Sequence, residues 1–250
     1  MGGPRFRHEG VKVLAVGEEV CLDPMESRHG VQVLRLGRGE ELELLDGRGT
    51  RSQARVVVAD RRALRVVVEA VMEERRSPRV VLMPALLKGK AFDFLVQKAT
   101  ELGVAEVAPV ITARTVVRWQ EGQRGSWEES VQRTAWEACK QCGNPWLPRW
   151  TAPRPLAEVL AGPGEGLRMA AMLGDGPRLP GDILDEVSGP VTGVTVMIGP
   201  EGDFTLAEAD GIRDWGALAL TLGPRVLRAE TAALAALAVV QHELVRRGWG

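Results

Sequence analysis

The sequence predicts a two-part α/β protein: a small antiparallel β-barrel, then a parallel sheet with helices on both faces. Two observations carry this. Before residue 75, short apolar runs alternate with Gly and Asp turns and show no helical period. After it, strand-like apolar runs alternate with segments of helical period, the pattern of a parallel α/β sheet.

In the first part, residues 11–16, 31–36, 41–45, 54–59 and 64–71 read as five strands. Asp46-Gly47 supplies one hairpin turn and Asp60-Arg61-Arg62 another. Residues 73–78 are charged and end in Pro78, which marks a linker and sets domains at 1–74 and 75–250. In the second part, residues 80–86 read as a strand. Phe92, Leu95, Val96, Ala99 and Leu102 then share one helix face. A strand over 107–111 precedes a helix over 126–142, which opens with Ser126 and Glu129 in capping-box spacing. A strand over 168–173, a short helix over 182–187 and a strand over 194–198 follow. Thr205 and Glu208 form a second capping box, opening a helix to about residue 215. A strand over 217–222 and a long helix over 231–247 complete the chain.

The chain has 250 residues, 45% hydrophobic and 26% charged, enough apolar material for a sizeable core. A net charge of −1 removes the argument for nucleic acid from overall basicity, though not a local basic patch. No apolar run approaches the ~18 residues of a membrane span, and no signal-peptide pattern is present. Three cysteines argue against a disulfide framework, so the expected location is cytoplasmic. Cys139 and Cys142 sit at a helix end without a second ligand pair, so no metal site is expected.

In open α/β sheets, ligands bind beyond the carboxyl ends of the strands. Three Gly/Pro-rich segments fall at such ends: residues 173–177 (LGDGP), 197–204 (MIGPEGDF) and 222–231 (LGPRVLRAET). Glycine lets a backbone approach a ligand closely. Three such turns predict a pocket lined by main-chain groups, suited to an adenine edge and a ribose. There is no GxGxxG or GxxxxGK[ST] loop, and no GxSxG motif for a serine hydrolase.

At these residues the chain resembles a known family, the E-type small-subunit ribosomal RNA methyltransferases of the SPOUT superfamily. MIGPEGDF is similar to the family's IGPEGG segment, and LGPRVLRAET to its LGxRILRxETA segment. QKATELGV (97–104) matches a third block. Arg5-Phe6, and His29 with Val33-Leu34-Arg35, resemble the N-terminal pattern. Two positions depart: Asp203 stands where a second glycine is usual, and Asn144 where a block commonly ends in arginine.

The resemblance implies a SPOUT α/β domain with a deep trefoil knot, preceded by a PUA-like barrel that assists RNA binding. It implies S-adenosylmethionine bound in the knot, a homodimer, and methylation of N3 of one uridine in 16S ribosomal RNA of the small subunit. The cofactor candidates are Leu173, Gly174, Ile198, Gly199, Pro200, Glu201, Gly202, Leu222, Gly223, Val226, Leu227 and Arg228. Arg5, Arg7, His29, Arg35 and Lys98 are the RNA-contact candidates. Uracil N3 carries a proton, so the site must accept a proton and stabilise charge spreading onto O2 and O4. Glu201 is the candidate for the first task and Arg228 for the second; the competing reading pairs them as a structural ion pair with each other or with Glu230. A SPOUT enzyme with another RNA target, such as a ribose 2′-hydroxyl, and a non-catalytic RNA-binding factor are the alternatives.

Overall fold

The computed structural model describes residues 3–10, 13–75, 77–164, 166–172 and 176–249. The chain divides into two compact units, residues 1–75 with 136–147, and residues 76–135 with 148–250.

The N-terminal unit is a five-stranded half-barrel built from β1 (Arg5–Arg7), β2 (Glu19–Cys21), β3 (Glu41–Leu45), β4 (Thr50–Val58) and β5 (Arg65–Glu73), in the order β1-β3-β4-β5-β2. The β3–β4 hairpin turns at Asp46, whose Oδ1 accepts from the N–H groups of Arg48 and Thr50. Asp60 closes the β4–β5 turn in the same way, accepting from Arg62 and Ala63. Phe6, Leu42, Leu44, Val56, Leu64 and Val66 alternate inward to form the core.

Three expectations fail here. Residues 31–36 are not a strand. Asp23 caps the N–H groups of Met25 and Glu26 at 2.8 and 2.9 Å, and Pro24 occupies the first helical position. The helix α1 (Pro24–Arg28) runs on as a π-helical turn, His29–Val33. Gly30 is buried against Leu64 and Phe6, leaving Val33 and Leu34 exposed. Of residues 11–16, 11 and 12 lie outside the described residues, and 13–16 form no strand. The sheet is also not wholly antiparallel, because β1 pairs parallel to β3.

Trp136–Leu147 belongs to this unit as well. Leu45, Trp136 and Cys139 are buried together, with Leu147 packed on them. Trp136 Nε1 donates to Glu9 at 3.1 Å, and Lys140 Nζ to the buried Glu26 at 2.9 Å. Burial pushes the Cys139 thiol up to about 12, so it is no reactive thiolate.

The second unit contains β6 (Arg79–Pro84), α2 (Lys90–Glu101), β7 (Glu106–Val107), β8 (Val110–Ile111), α3 (Arg124–Cys142, its last turns in the N-terminal unit), β9 (Arg149–Trp150), β10 (Arg154–Pro155) and α4 (Leu156–Leu160). It continues with β11 (Leu167–Ala171), α5 (Pro180–Asp185), β12 (Gly193–Ile198), α6 (Leu206–Asp214), β13 (Leu218–Leu220) and α7 (Ala229–Arg246). Six strands form an all-parallel sheet in the order β13-β11-β12-β6-β7-β9, as the alternating pattern predicts. Helix α7 packs on β6 and β12 and against α2 and α5. Ala233 and Ala236 are fully buried and bring it close to the sheet. On the other face, Leu156 of α4 and Ala209 and Ile212 of α6 cover Ala170 and Met197. The Thr205–Glu208 capping box forms as predicted. Helix α3 starts earlier than predicted: a 3₁₀ turn leads into Arg124, and the Ser126 hydroxyl donates back to the Gln123 carbonyl instead of capping. Among the described residues no helix is long and apolar enough to cross a membrane.

Candidate active site

The carboxyl ends of β11, β12 and β13 meet the first turn of α7 around one cavity. Strand β12 ends at the buried Ile198 and turns at Gly199-Pro200, where the Asp203 N–H returns to the Pro200 carbonyl at 2.9 Å. Phe204 then buries its ring in the core beside α6, and Thr205 caps that helix. Strand β13 ends at Leu220. Thr221 Oγ1 accepts the Gly223 N–H at 3.2 Å, and Gly223 has a φ of +113°, which a side chain would strain.

Eight of the predicted cofactor residues line this cavity: Ile198, Gly199, Pro200 and Glu201 from one loop, and Leu222, Gly223, Val226 and Leu227 from the other. Gly202 and Arg228 flank these residues in the chain without lining it. Leu173 and Gly174 lie outside the described residues. The sequence reading missed the apolar walls, Ala171, Met172 and Leu220, and the helix residues Ala229 and Ala232. It also missed Asp203, Thr221 and Arg225. Strand ends and the first turn of a helix after a glycine loop are the signal that would have found the walls.

The first loop is held by a segment far away in sequence. Arg114 Nη1 donates to the carbonyls of Gly202 and Phe204, and the Ala113 N–H donates to Glu208 Oε1 at 2.7 Å. Burial alone would raise the Glu208 carboxyl. The N–H groups of Thr205 and Ala113, the Thr205 hydroxyl and the Arg114 charge outweigh it and hold the carboxyl below its ordinary value. The folded-state value is depressed, so this stabilisation is fully present above the unfolded glutamate value near ~4.3 and is lost as pH falls through the folded one. Glu208→Gln is therefore expected to flatten the acid limb of a stability-against-pH curve. An unchanged acid limb in pH-dependent urea unfolding would contradict the assignment.

Glu201 and Arg228 are both exposed, and neither contacts a carboxylate or a cation among the described residues. Arg228 occupies the N-cap position of α7 and makes no side-chain capping bond.

The RNA-contact candidates fare unevenly. Arg5 bonds Glu43 at 2.8 Å and the Lys140 and Gln141 carbonyls at 3.2 and 3.0 Å, so it caps the end of α3. Arg7 lies 3.4 Å from Asp23 and 3.8 Å from Glu26. His29 stands edge-on to Phe6, ring centroids 6.1 Å apart. Arg35 is exposed at a φ of +59°. Lys98 is in the other unit, 2.8 Å from Glu101.

Residues 74–241 match the family described as an RNA methyltransferase domain, and residues 22–69 that of an RNA methyltransferase PUA domain. A Synechocystis protein named ribosomal RNA small subunit methyltransferase E is 32% identical over 224 residues, 88% of this chain and 72% of the relative. The chain belongs to the E-type ribosomal RNA methyltransferase family. The Bacillus subtilis member is 29% identical over 88% of this chain and 90% of its own. The Neisseria gonorrhoeae member, a crystal structure with S-adenosylmethionine bound, superposes with a TM-score of 0.84 at 30% identity, covering 96% of this chain and 97% of that one. A Legionella pneumophila structure with bound S-adenosylmethionine gives 0.85 at 30% identity, covering 97% and 98%.

The E-type family's second glycine in IGPEGG has a physical explanation in this chain. Asp203 has a φ of +60°, the left-handed region that glycine enters freely. Its own Oδ1 accepts the Phe204 N–H at 2.8 Å, a local bond that helps aspartate tolerate the conformation. Asp203→Gly is expected to leave stability within about 1 kcal/mol, whereas Asp203→Ala keeps the strain, loses the bond and costs about 1–2 kcal/mol. Urea unfolding of the two variants checks the order.

Proposed function

We propose that the chain methylates N3 of one uridine in 16S ribosomal RNA of the small subunit, using S-adenosylmethionine, as a cytoplasmic homodimer with the knotted path of the SPOUT fold. Residues 1–74 act as the PUA-like RNA-binding domain and residues 75–250 as the transferase domain. The observation that carries this is the convergence of two glycine loops on one cavity, with a carboxylate and a guanidinium at or beside its rim that have no ionic partner among the described residues.

The cavity suits the cofactor. Ala171, Leu220 and Ala232 give it an apolar surface for a purine ring. Gly199 and Gly223 let main-chain groups approach the ligand, and Glu201 and Asp203 offer acceptors for hydroxyl and ammonium groups. Leu173 and Gly174 belong to the same proposed set. When bound, S-adenosylmethionine supplies a methyl group made electrophilic by the sulfonium. The chain's residues then have three tasks. The loops at 198–203 and 222–227 hold the reactants in line. Glu201 accepts or relays the N3 proton. Arg228 steers the base and stabilises charge on O2 and O4. Arg35 and His29 on the half-barrel contact flanking RNA, with Arg5 and Arg7 shaping that surface.

Small subunits from cells lacking the endogenous enzyme, incubated with protein and S-adenosylmethionine, should yield 3-methyluridine at one site after digestion and mass spectrometry. A 2′-O-methylated nucleoside instead would overturn the N3 assignment. Cofactor binding with no transfer to subunits or naked RNA would overturn the proposed substrate.

A further inference from the structure

We infer that a groove on the parallel sheet, remote from the methyl-transfer cavity, binds the phosphodiester backbone of RNA flanking the target base. This rests on the substrate class proposed above. Alternation puts Val81 and Met83 of β6 and Thr195 and Met197 of β12 on the same face. Towards the carboxyl ends of the strands, α4 and α6 cover that face over Met83 and Met197. Nearer the amino ends a groove of about 460 Å³ lies over Val81 and Thr195.

Its walls are polar and charged. Arg79, Glu106, Arg149 and Arg154 line it together with Pro163 and Trp215. The buried Glu106 is ion-paired with Arg79. Arg149 and Arg154 are exposed, and neither has a carboxylate partner among the described residues. The four charged side chains therefore sum to +2. The Trp215 wall is fixed: its Nε1 donates to the Gly162 carbonyl at 3.1 Å, and the Arg168 guanidinium sits 5.1 Å from the ring centroid.

Parallel sheets normally have both faces covered. A groove lined by no helix residue, with a threonine in its floor and two guanidinium groups that lack a carboxylate partner among the described residues, matches an anion, not another apolar helix. Guanidinium forks fit phosphate oxygens in pairs. The groove is larger than one phosphate fills, which favours a run of backbone over a free ion. Gly193 and Ile198, at its end of β12 and at the cavity, are five residues apart, about 17 Å at ~3.3 Å per residue. One nucleotide does not bridge that span, so the groove holds a neighbouring stretch.

The test compares the full-length protein with Arg149→Ala/Arg154→Ala and with Arg149→Lys/Arg154→Lys. Binding of a fluorescent small-subunit RNA fragment is measured across a salt series, beside calorimetric S-adenosylmethionine binding. The alanine pair should weaken RNA binding by roughly tenfold or more. It should also make the slope of log K against log salt shallower by about 1.4, at ~0.7 per lost single-strand phosphate contact. The lysine pair should restore most of the slope, and the cofactor affinity should not move. Unchanged RNA affinity and slope in the alanine pair overturn the inference. So does thermal stabilisation of the unsubstituted protein by inorganic phosphate that the alanine pair loses while its RNA binding is intact, or a changed sedimenting mass in the alanine pair. Methyl transfer by the unsubstituted protein is assayed in parallel. Its absence would count against the proposed reaction, while the salt slope would still report on the groove.

Discussion

Replacing Arg228 by alanine is expected to lower methyl transfer more than tenfold and leave the fold intact. Arg228 stands at the N-cap of α7, yet its side chain caps nothing and meets no carboxylate among the described residues. The structural reading, an ion pair with Glu201 or Glu230 that fixes the loops, finds no contact to support it. An exposed side chain with no partner costs little to remove, within about 0.5 kcal/mol. The catalytic cost is of another order, because losing one donor aimed at developing negative charge typically costs ~10²–10³ in rate. The loss should fall on kcat with the cofactor Kd unchanged, and Arg228→Lys should recover part of it by keeping the charge. Thermal unfolding beside single-turnover transfer decides the matter. Unchanged transfer would remove Arg228 from the reaction, and an unfolded variant would restore the structural role.

The parallel sheet and the cavity were legible in the sequence for a physical reason. Buried parallel strands such as residues 80–83 are continuous apolar runs, and the ligand loops after residues 198 and 222 are written in glycine and proline. The half-barrel was less so. Strands β1 and β2 are three residues each, too short for any period to register. Residues 31–36 (VQVLRL) alternate like a strand, and only the Asp23-Pro24 start signal with Glu26 three residues after Asp23 argued for a helix. The reach of Trp136–Leu147 into the N-terminal unit was invisible, because helical spacing says which residues share a face and not which core receives it. The same limit hid Arg114, which acts on a loop 88 residues later in the chain.

Arg114→Ala is the second large effect expected, and it should appear as a cofactor-binding defect. The guanidinium bonds two carbonyls, of Gly202 and Phe204, that bracket the turn at Asp203. Hydrogen bonds to a charged group contribute about 1.5–3 kcal/mol each in favourable cases. Here they join one exposed loop to another, so their loss shifts the loop's conformational population more than it destabilises the core. Affinity falls by the fraction of molecules still holding the competent loop, and a tenfold loss needs only about 1.4 kcal/mol. Arg114→Lys should rescue in part, since both bonds come from the single nitrogen Nη1 and an ammonium keeps its charge and donors on a shorter reach. A merely structural residue would not move the acid behaviour of Glu208, but Arg114 should. Without its charge the Glu208 carboxyl rises towards its ordinary value, so the acid loss of stability becomes smaller and is complete at a higher pH. Calorimetric cofactor binding, hydrogen exchange of residues 199–205 and the acid limb together test this. An unchanged cofactor Kd with unchanged exchange would show that the loop holds itself, through the Asp203 turn and the Phe204 anchor alone.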